Sequence, residues 1–217
     1  MPHLNYIMAE KYLSVYGECT TEKTIEKSRF ITTSRHVETE EEAKAFVTEI
    51  CKKFPDATHN CYAYISDAQG NFLRFSDDGE PQGTAGMPIL EVIKNKSLVQ
   101  TAVVVTRYFG GIKLGAGGLL RAYSGCAAEN LESARKVLYE MCEEYKICVD
   151  YTFVDAAERY FLQTETDVLH TEYLNNVIFS VAVKKSESAK FCAELLNRLN
   201  GKVVLQKTRE FFYPFKL

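Results

Sequence analysis

The chain of 217 residues has no tryptophan, so stacking or anchoring roles fall to its 13 Tyr and 13 Phe. It has no CxxC pair: its seven cysteines (Cys19, Cys51, Cys61, Cys126, Cys142, Cys148, Cys192) are odd in number and scattered. That excludes a zinc ribbon or a thioredoxin-type motif and points to reduced thiols, several of them acting as small core residues. A surplus of cations is also missing. The net charge is −3, with 15 Lys and Arg against 17 Asp and Glu over residues 1–135, and 11 against 12 over residues 136–217. A globally basic nucleic-acid-binding surface is thereby excluded, and any anion site must be local. No apolar stretch approaches membrane-spanning length. No basic segment leads into an apolar run at the start, so no signal peptide is expected. Low-complexity segments and short repeats are absent. The hydrophobic fraction of 46% is too high for a disordered chain. A soluble cytoplasmic protein of one large or two small domains is expected.

Most of the information lies in Val103–Tyr123, VVVTRYFGGIKLGAGGLLRAY. A β-branched run leads through Arg107, Tyr108 and Phe109 into a loop with five glycines (Gly110, Gly111, Gly115, Gly117, Gly118), and a helix-forming stretch opens at Leu119. Strand, glycine loop, helix is a geometry in which bare backbone N–H groups face an anion. Arg107, Lys113 and Arg121 add charge. GGxxxGxGG lacks the GK[ST] ending of a P-loop and the following strand-end acid of a dinucleotide site. It therefore reads either as an anion site of its own kind or as glycines that permit tight turns and close strand–helix packing.

The pattern predicts strands near Glu18–Glu26 and Ser28–Arg35, then a helix capped by Thr39 and Glu42 with Ala43, Phe46, Ile50 and Phe54 on its apolar face. Strands are expected at Cys61–Ile65 and Phe72–Phe75, a turn-rich loop at 76–88, a short helix Ile89–Lys96 begun by Pro88, and a central strand Leu98–Thr106. The last helix of this half should bury Leu120, Tyr123, Ala127, Leu131 and Ala134. Residues 135–144 read as a charged, helical-looking linker. Beyond it, Tyr145, Ile147, Val149 and Tyr151 alternate as a strand; Asp155 can cap a helix to about Thr166. Val168–Asn175 and Val177–Lys184 form a hairpin turning at Asn175-Asn176, Ser186 can cap a helix ended by Asn200-Gly201, and Val203–Phe212 is the last strand. That order, β-α-β-β-α-β, is ferredoxin-like. The expected fold is α+β in two domains, 1–135 and 136–217.

The runs Ala57-Thr58-His59-Asn60-Cys61-Tyr62-Ala63-Tyr64, Ser76-Asp77-Asp78-Gly79-Glu80-Pro81-Gln82-Gly83-Thr84-Ala85-Gly86 and Val103–Tyr123 together resemble the IMPACT/YigZ family. The resemblance covers most of residues 18–135. It implies a first domain like the second domain of ribosomal protein S5, and a ferredoxin-like C-terminal domain similar to one in translational elongation factors. Eukaryotic relatives carry an extra N-terminal module and restrain a stress kinase of translation initiation. The family core begins close to residue 18 here, so that role is not expected to carry over. Bacterial members are suggested to bind nucleic acid.

The site residues expected are Arg107, Tyr108, Gly110, Gly111, Lys113, Gly115, Gly117, Gly118 and Arg121, supported by Asp77, Asp78, Glu80 and His59. Arg107 beside an aromatic suits base stacking with a phosphate contact, or it is a strand-end Arg paired with Asp77, Asp78 or Glu80. Phe109 is expected in the core. The acidic turn 76–80 lacks the spacing of a calcium loop and reads as turn chemistry. His59 and Cys61 have no third orienting group and are too few for zinc. No metal and no cofactor are expected. Arg29 and Arg35 matter only if the sheet brings them beside Arg107. The expected function is a non-enzymatic, translation-associated regulator or factor binding RNA, a ribosome or a translation-associated protein. Alternatives are an enzyme or small-anion binder acting on a nucleotide or phosphorylated metabolite, and a protein-interaction module.

Overall fold

The computed structural model describes residues 10–164 and 166–216. Its strands are β1 (Lys11–Val15), β2 (Glu18–Ile25), β3 (Ser28–His36), β4 (His59–Ile65), β5 (Leu73–Ser76), β6 (Thr101–Tyr108), β7 (Lys136–Val149), β8 (Asp167–Tyr173), β9 (Val177–Lys184) and β10 (Val203–Lys216). The helices are α1 (Glu40–Lys53), α2 (Gly86–Asn95), α3 (Gly115–Ser133), α4 (Val154–Gln163) and α5 (Ser188–Arg198). The fold is α+β. The chain divides into two compact units: one runs to Leu138 and takes in Phe215, the other is Tyr139–Pro214.

In the first unit a five-stranded sheet has the order β2-β3-β6-β4-β5. Strand β6 pairs antiparallel with both β3 and β4. Helices cover both of its faces, which explains the unbroken apolar run. Val103 and Val105 join Phe30, Cys61, Ile89 and Tyr123 in the core under α2 and α3. Ala102 and Val104 join Phe46, Ile50 and Tyr64 under α1. Strand alternation then puts Arg107 on the α2/α3 side. Thr39 caps α1 by accepting from the Glu42 amide at 3.1 Å, while the Glu42 carboxylate accepts from the Glu38 amide at 2.7 Å. That is a capping box displaced by one residue.

The other five-stranded sheet has the order β1-β7-β9-β8, with β10 also pairing β7; β7/β9 and β8/β9 are antiparallel, and β8, β9 and most of β7 and β10 lie in the second unit. Strand β9 thus separates β7 from β8, the split βαβ arrangement. The core of the second unit is Ile147, Val149, Tyr160, Phe161, Phe179, Val181, Phe191 and Leu195.

Several local expectations fail. Residues 136–144 are strand, not a helical linker; their charges pair across the sheet, Glu143 with Lys207 and Glu144 with Arg209 of β10. Helix α3 begins at Gly115, four residues early; Tyr123, Ala127, Leu131 and Ala134 are buried as expected, but Leu120 is exposed and Leu119 and Ala122 are buried in its place. Helix α2 starts at Gly86 rather than at Pro88. Neither Asp155 nor Ser186 caps a helix: α4 and α5 have no side-chain cap. The Asn175-Asn176 turn uses no positive φ, whereas Asn200 and Gly201 do, at 52° and 72°.

Glu143 makes the second unit acid-sensitive. Burial alone would raise its pKa. The Lys207 ammonium at 2.5 Å and the hydroxyls of Ser188 and Tyr145 outweigh that and hold it at about 2. A carboxylate depressed on folding stabilises the native state above its unfolded pKa. That contribution should be complete above about pH 4.5 and be lost as pH falls toward 2. Acid unfolding of Glu143→Gln followed by circular dichroism should lose this part of the transition; an unchanged acid limb would refute the assignment.

Candidate anion-binding site

The expected site residues separate into a buried group and an open one. Glu80 is the centre of the buried group. The chain reaches it through the turn 76–85, which Asp77 organises: its carboxylate accepts from the amides of Gly83 (2.8 Å), Ala85 (2.9 Å) and Gly86 (2.9 Å). Although burial opposes it, these three donors lower the Asp77 pKa. The N-terminus of α2 therefore already has its anion, supplied by the chain itself. Asp78 accepts from the Asn60 amide at 2.6 Å, and its carbonyl lies 2.7 Å from His59 Nδ1.

Arg107 Nη1 donates to Glu80 Oε1 at 2.6 Å, and Tyr123 Oη donates to the same oxygen at 2.7 Å. Arg107 Nη2 donates to Ser28 Oγ at 3.2 Å, and His59 Nε2 is 3.9 Å from Glu80 Oε2. Arg107 and Glu80 are 5% and 8% exposed, so this is an interior ion pair. Arg107 is therefore not a free phosphate ligand, because the Glu80 carboxylate takes its charge inside the core. Glu80 belongs to that interior with His59 beside it, whereas the half-buried Asp77 and the exposed Asp78 fix the turn to α2 and β4 through backbone amides. Cys61 is fully buried, donates to the Asp77 carbonyl at 3.0 Å, and burial pushes its thiol pKa up, away from nucleophilic use.

The open group is different. Gly110 brings the loop against the β2–β3 turn so closely that a Cβ there would lie 2.0 Å from the Lys27 carbonyl carbon. Its amide donates to Ser28 Oγ at 3.3 Å, so Ser28 ties the loop to the buried pair. Gly111 and Gly115 have φ of 87° and 68°, a left-handed backbone that suits glycine. Helix α3 then starts with no side chain capping it. Its first amides lack intrahelical partners and carry the positive end of the dipole. Lys113 and Arg121 are exposed beside it, and neither has a carboxylate within ion-pairing distance among the described residues. With Ile25, Glu26, Ile112, Leu114, Gly118 and Ala122 they line a pocket of about 470 Å³.

Tyr108 stands apart from this pocket, donating to Asp56 at 3.0 Å with the Arg29 guanidinium 5.7 Å from its ring centre. Arg29 pairs with Glu22, and Arg35 with Glu18 and Glu49, so neither joins the site. Phe109 is 46% exposed, against expectation: it lies past the end of β6, with the Arg107 guanidinium 5.5 Å from its ring centre. Sequence reasoning missed Glu26 and Lys27. They became visible only through register: with Arg29 opposite Tyr108, the β2–β3 turn falls beside Gly110. Among the described residues no group of three or more His, Cys, Asp and Glu is placed to hold a metal.

Fold and site together define a two-unit α+β protein whose first unit carries a glycine-rich, cation-flanked loop between a central strand and a long helix. Residues 26–131 match the Impact N-terminal domain, and residues 147–202 match a domain of unknown function, DUF1949. The IMPACT family member YvyE of Bacillus subtilis is 40% identical over 195 residues, 90% of each chain. The IMPACT family member YigZ of Escherichia coli is 34% identical over 93% of this chain and 100% of that protein. A crystal structure described as that of a hypothetical protein superposes with a TM-score of 0.63 at 33% identity, over 93% of this chain and 99% of that one. The chain belongs to the IMPACT family. The Protein IMPACT homolog of Dictyostelium discoideum is 34% identical over 46% of this chain and 28% of its own length. No helix among the described residues is long and apolar enough to cross a membrane.

Proposed function

We propose that this protein is a non-enzymatic, translation-associated factor that binds RNA or a ribonucleoprotein through the pocket at the start of α3. One observation carries the reading: Lys113 and Arg121, exposed and without an ion-pair partner among the described residues, line a pocket at the uncapped N-terminus of α3 on a glycine-rich loop. Helix α2 in the same unit already holds Asp77 at its N-terminus, whereas α3 leaves its own amides for an external anion. Phe109 offers an exposed ring near the loop. The net charge of −3 favours a specific ribonucleoprotein partner over indiscriminate binding to RNA. The IMPACT family, with its resemblance to ribosomal protein S5 and elongation-factor domains, points in the same direction. A non-enzymatic role fits the state of the reactive groups, since Cys61 is sealed in the core and Asp77 is committed to three amides.

Charge reversal at both cations, Lys113→Glu with Arg121→Glu, should weaken single-stranded RNA binding at least about tenfold. It should also flatten the slope of log K against log salt by about 1.4, at roughly 0.7 for each phosphate no longer neutralised. Unchanged affinity and slope would sink the reading. Stabilisation by free nucleotides, absent with RNA, would favour the small-anion alternative that a pocket of about 470 Å³ also suits.

Gly117 gives a second test. A Cβ there meets nothing nearer than Arg121 Nη1 at 3.7 Å, inside a helix. Gly117→Ala should raise helix stability by up to about 1 kcal/mol and yet weaken RNA binding, because the added methyl stands where phosphate approaches the amides. A gain in melting temperature with full RNA affinity would show that this glycine serves no ligand.

A further inference from the structure

The pocket beside α3 contains one group that a plain phosphate site would not want. Glu26 lines it together with Lys113 and Arg121. Glu26 is exposed and makes no ion pair among the described residues, although two cations share the same pocket. Its backbone is also unusual. Glu26 and Lys27 form the two-residue turn between β2 and β3, whose last paired residues are Ile25 and Ser28. Both have positive φ, 44° and 62°. Hairpin turns of this kind favour Asn and Gly, which tolerate the left-handed region; Glu does not. Backbone preference therefore argues against glutamate here, and phosphate attraction argues against it again.

A ligand offering both an anion and hydroxyl donors resolves the contradiction. The wall formed by Ile25, Ile112, Leu114 and Ala122 is apolar. The pocket is open to solvent, and its volume of about 470 Å³ is of the size that seats a single small unit. A carboxylate that accepts from ribose hydroxyls, beside backbone amides that hold phosphate, is the division of labour in dinucleotide sites of unrelated fold. The 2′-OH is the group by which a protein distinguishes RNA from DNA.

We propose that the pocket takes one ribonucleotide of an RNA strand, its phosphate toward Lys113, Arg121 and the first amides of α3, and its 2′-hydroxyl donating to the Glu26 carboxylate. Glu26 is then the residue that selects ribose over deoxyribose. This proposal rests on the RNA-binding reading above and adds the sugar specificity to it.

The test uses the full chain and two labelled probes, a uridine decamer of RNA and its deoxyuridine counterpart, measured by fluorescence anisotropy at one salt concentration. The wild type should prefer the ribose probe about tenfold, as expected for a hydrogen bond to a charged acceptor. Glu26→Gln should cut that preference to about twofold or less by weakening the ribose probe alone. Glu26→Asn suits the turn better, so it should melt higher than the wild type while losing the same preference. If the wild type binds neither probe, the RNA-binding reading fails and this proposal with it. If it binds both equally, or if Glu26→Gln tightens both by the same factor, Glu26 acts only as a negative charge near phosphate. The ribose assignment is then overturned while the RNA-binding reading stands.

Discussion

Glu80→Ala should destabilise the first unit by about 3–5 kcal/mol, the usual consequence of removing one partner of an interior ion pair. The alanine variant leaves the Arg107 guanidinium in the core with Ser28 Oγ as its nearest remaining acceptor at 3.2 Å, and Tyr123 Oη without the carboxylate it donates to at 2.7 Å. Arg107 Nε is already buried without a partner, so the cation has little to fall back on. Solvent cannot screen the loss, because the side chains of Arg107 and Glu80 are only 6% and 4% exposed. Urea unfolding followed by far-ultraviolet circular dichroism measures the effect; with no tryptophan in the chain, secondary structure is the better signal. The double variant Arg107→Met with Glu80→Leu should recover much of the loss, since apolar groups of similar size leave no unpaired charge behind. A single variant within about 1 kcal/mol of the wild type would mean that the pair is hydrated and not part of the core.

The same pair shows what could be read from the chain without coordinates. The apolar run of β6 announced a central strand, and alternation set Arg107 on the face opposite Tyr108; that this face is the one holding Val103 and Val105 under α2 and α3 comes from the fold. Glu80 was among its candidate partners; burial of the pair was not legible, because it depends on Tyr123 and α3 closing over the strand end. The second unit was legible as an order of elements, since Tyr145, Ile147 and Val149 alternate and Asn200-Gly201 stops a helix. Residues 136–144 were misread because charges spaced along a chain look alike on a solvated helix and on a strand. Only the partners on β10, some 64 residues away, decide between them. Phe109 was misplaced by reasoning from average burial: it stands just beyond the last residue of β6, where the covering helices no longer apply. Glu26 and Lys27 gave no turn signal at all, being the wrong residue types for the turn they form.

Gly110→Ala should be the most damaging single-methyl change in the loop. The added Cβ would lie 2.0 Å from both the carbon and the oxygen of the Lys27 carbonyl and 2.5 Å from the Ser28 nitrogen, all backbone atoms of the adjoining hairpin. No side-chain rotation relieves that clash, so either the β2–β3 turn or the loop must move. Movement breaks the Gly110 amide's bond to Ser28 Oγ and disturbs the hydroxyl that Arg107 uses. A cost of about 3 kcal/mol is expected, in the range of overpacking with backbone shifts. Gly111→Ala, one residue on, is the control: a Cβ there meets nothing within 4 Å and the penalty comes only from its φ of 87°, about 1 kcal/mol. If steric contact with the hairpin governs the loop, Gly110→Ala loses stability and the proposed RNA binding together, because the pocket wall carries Ile25 and Glu26 from the displaced turn. Gly111→Ala should lose little of either. Equal costs at the two positions would show that left-handed backbone, and not the approach of the hairpin, is what this loop requires of its glycines.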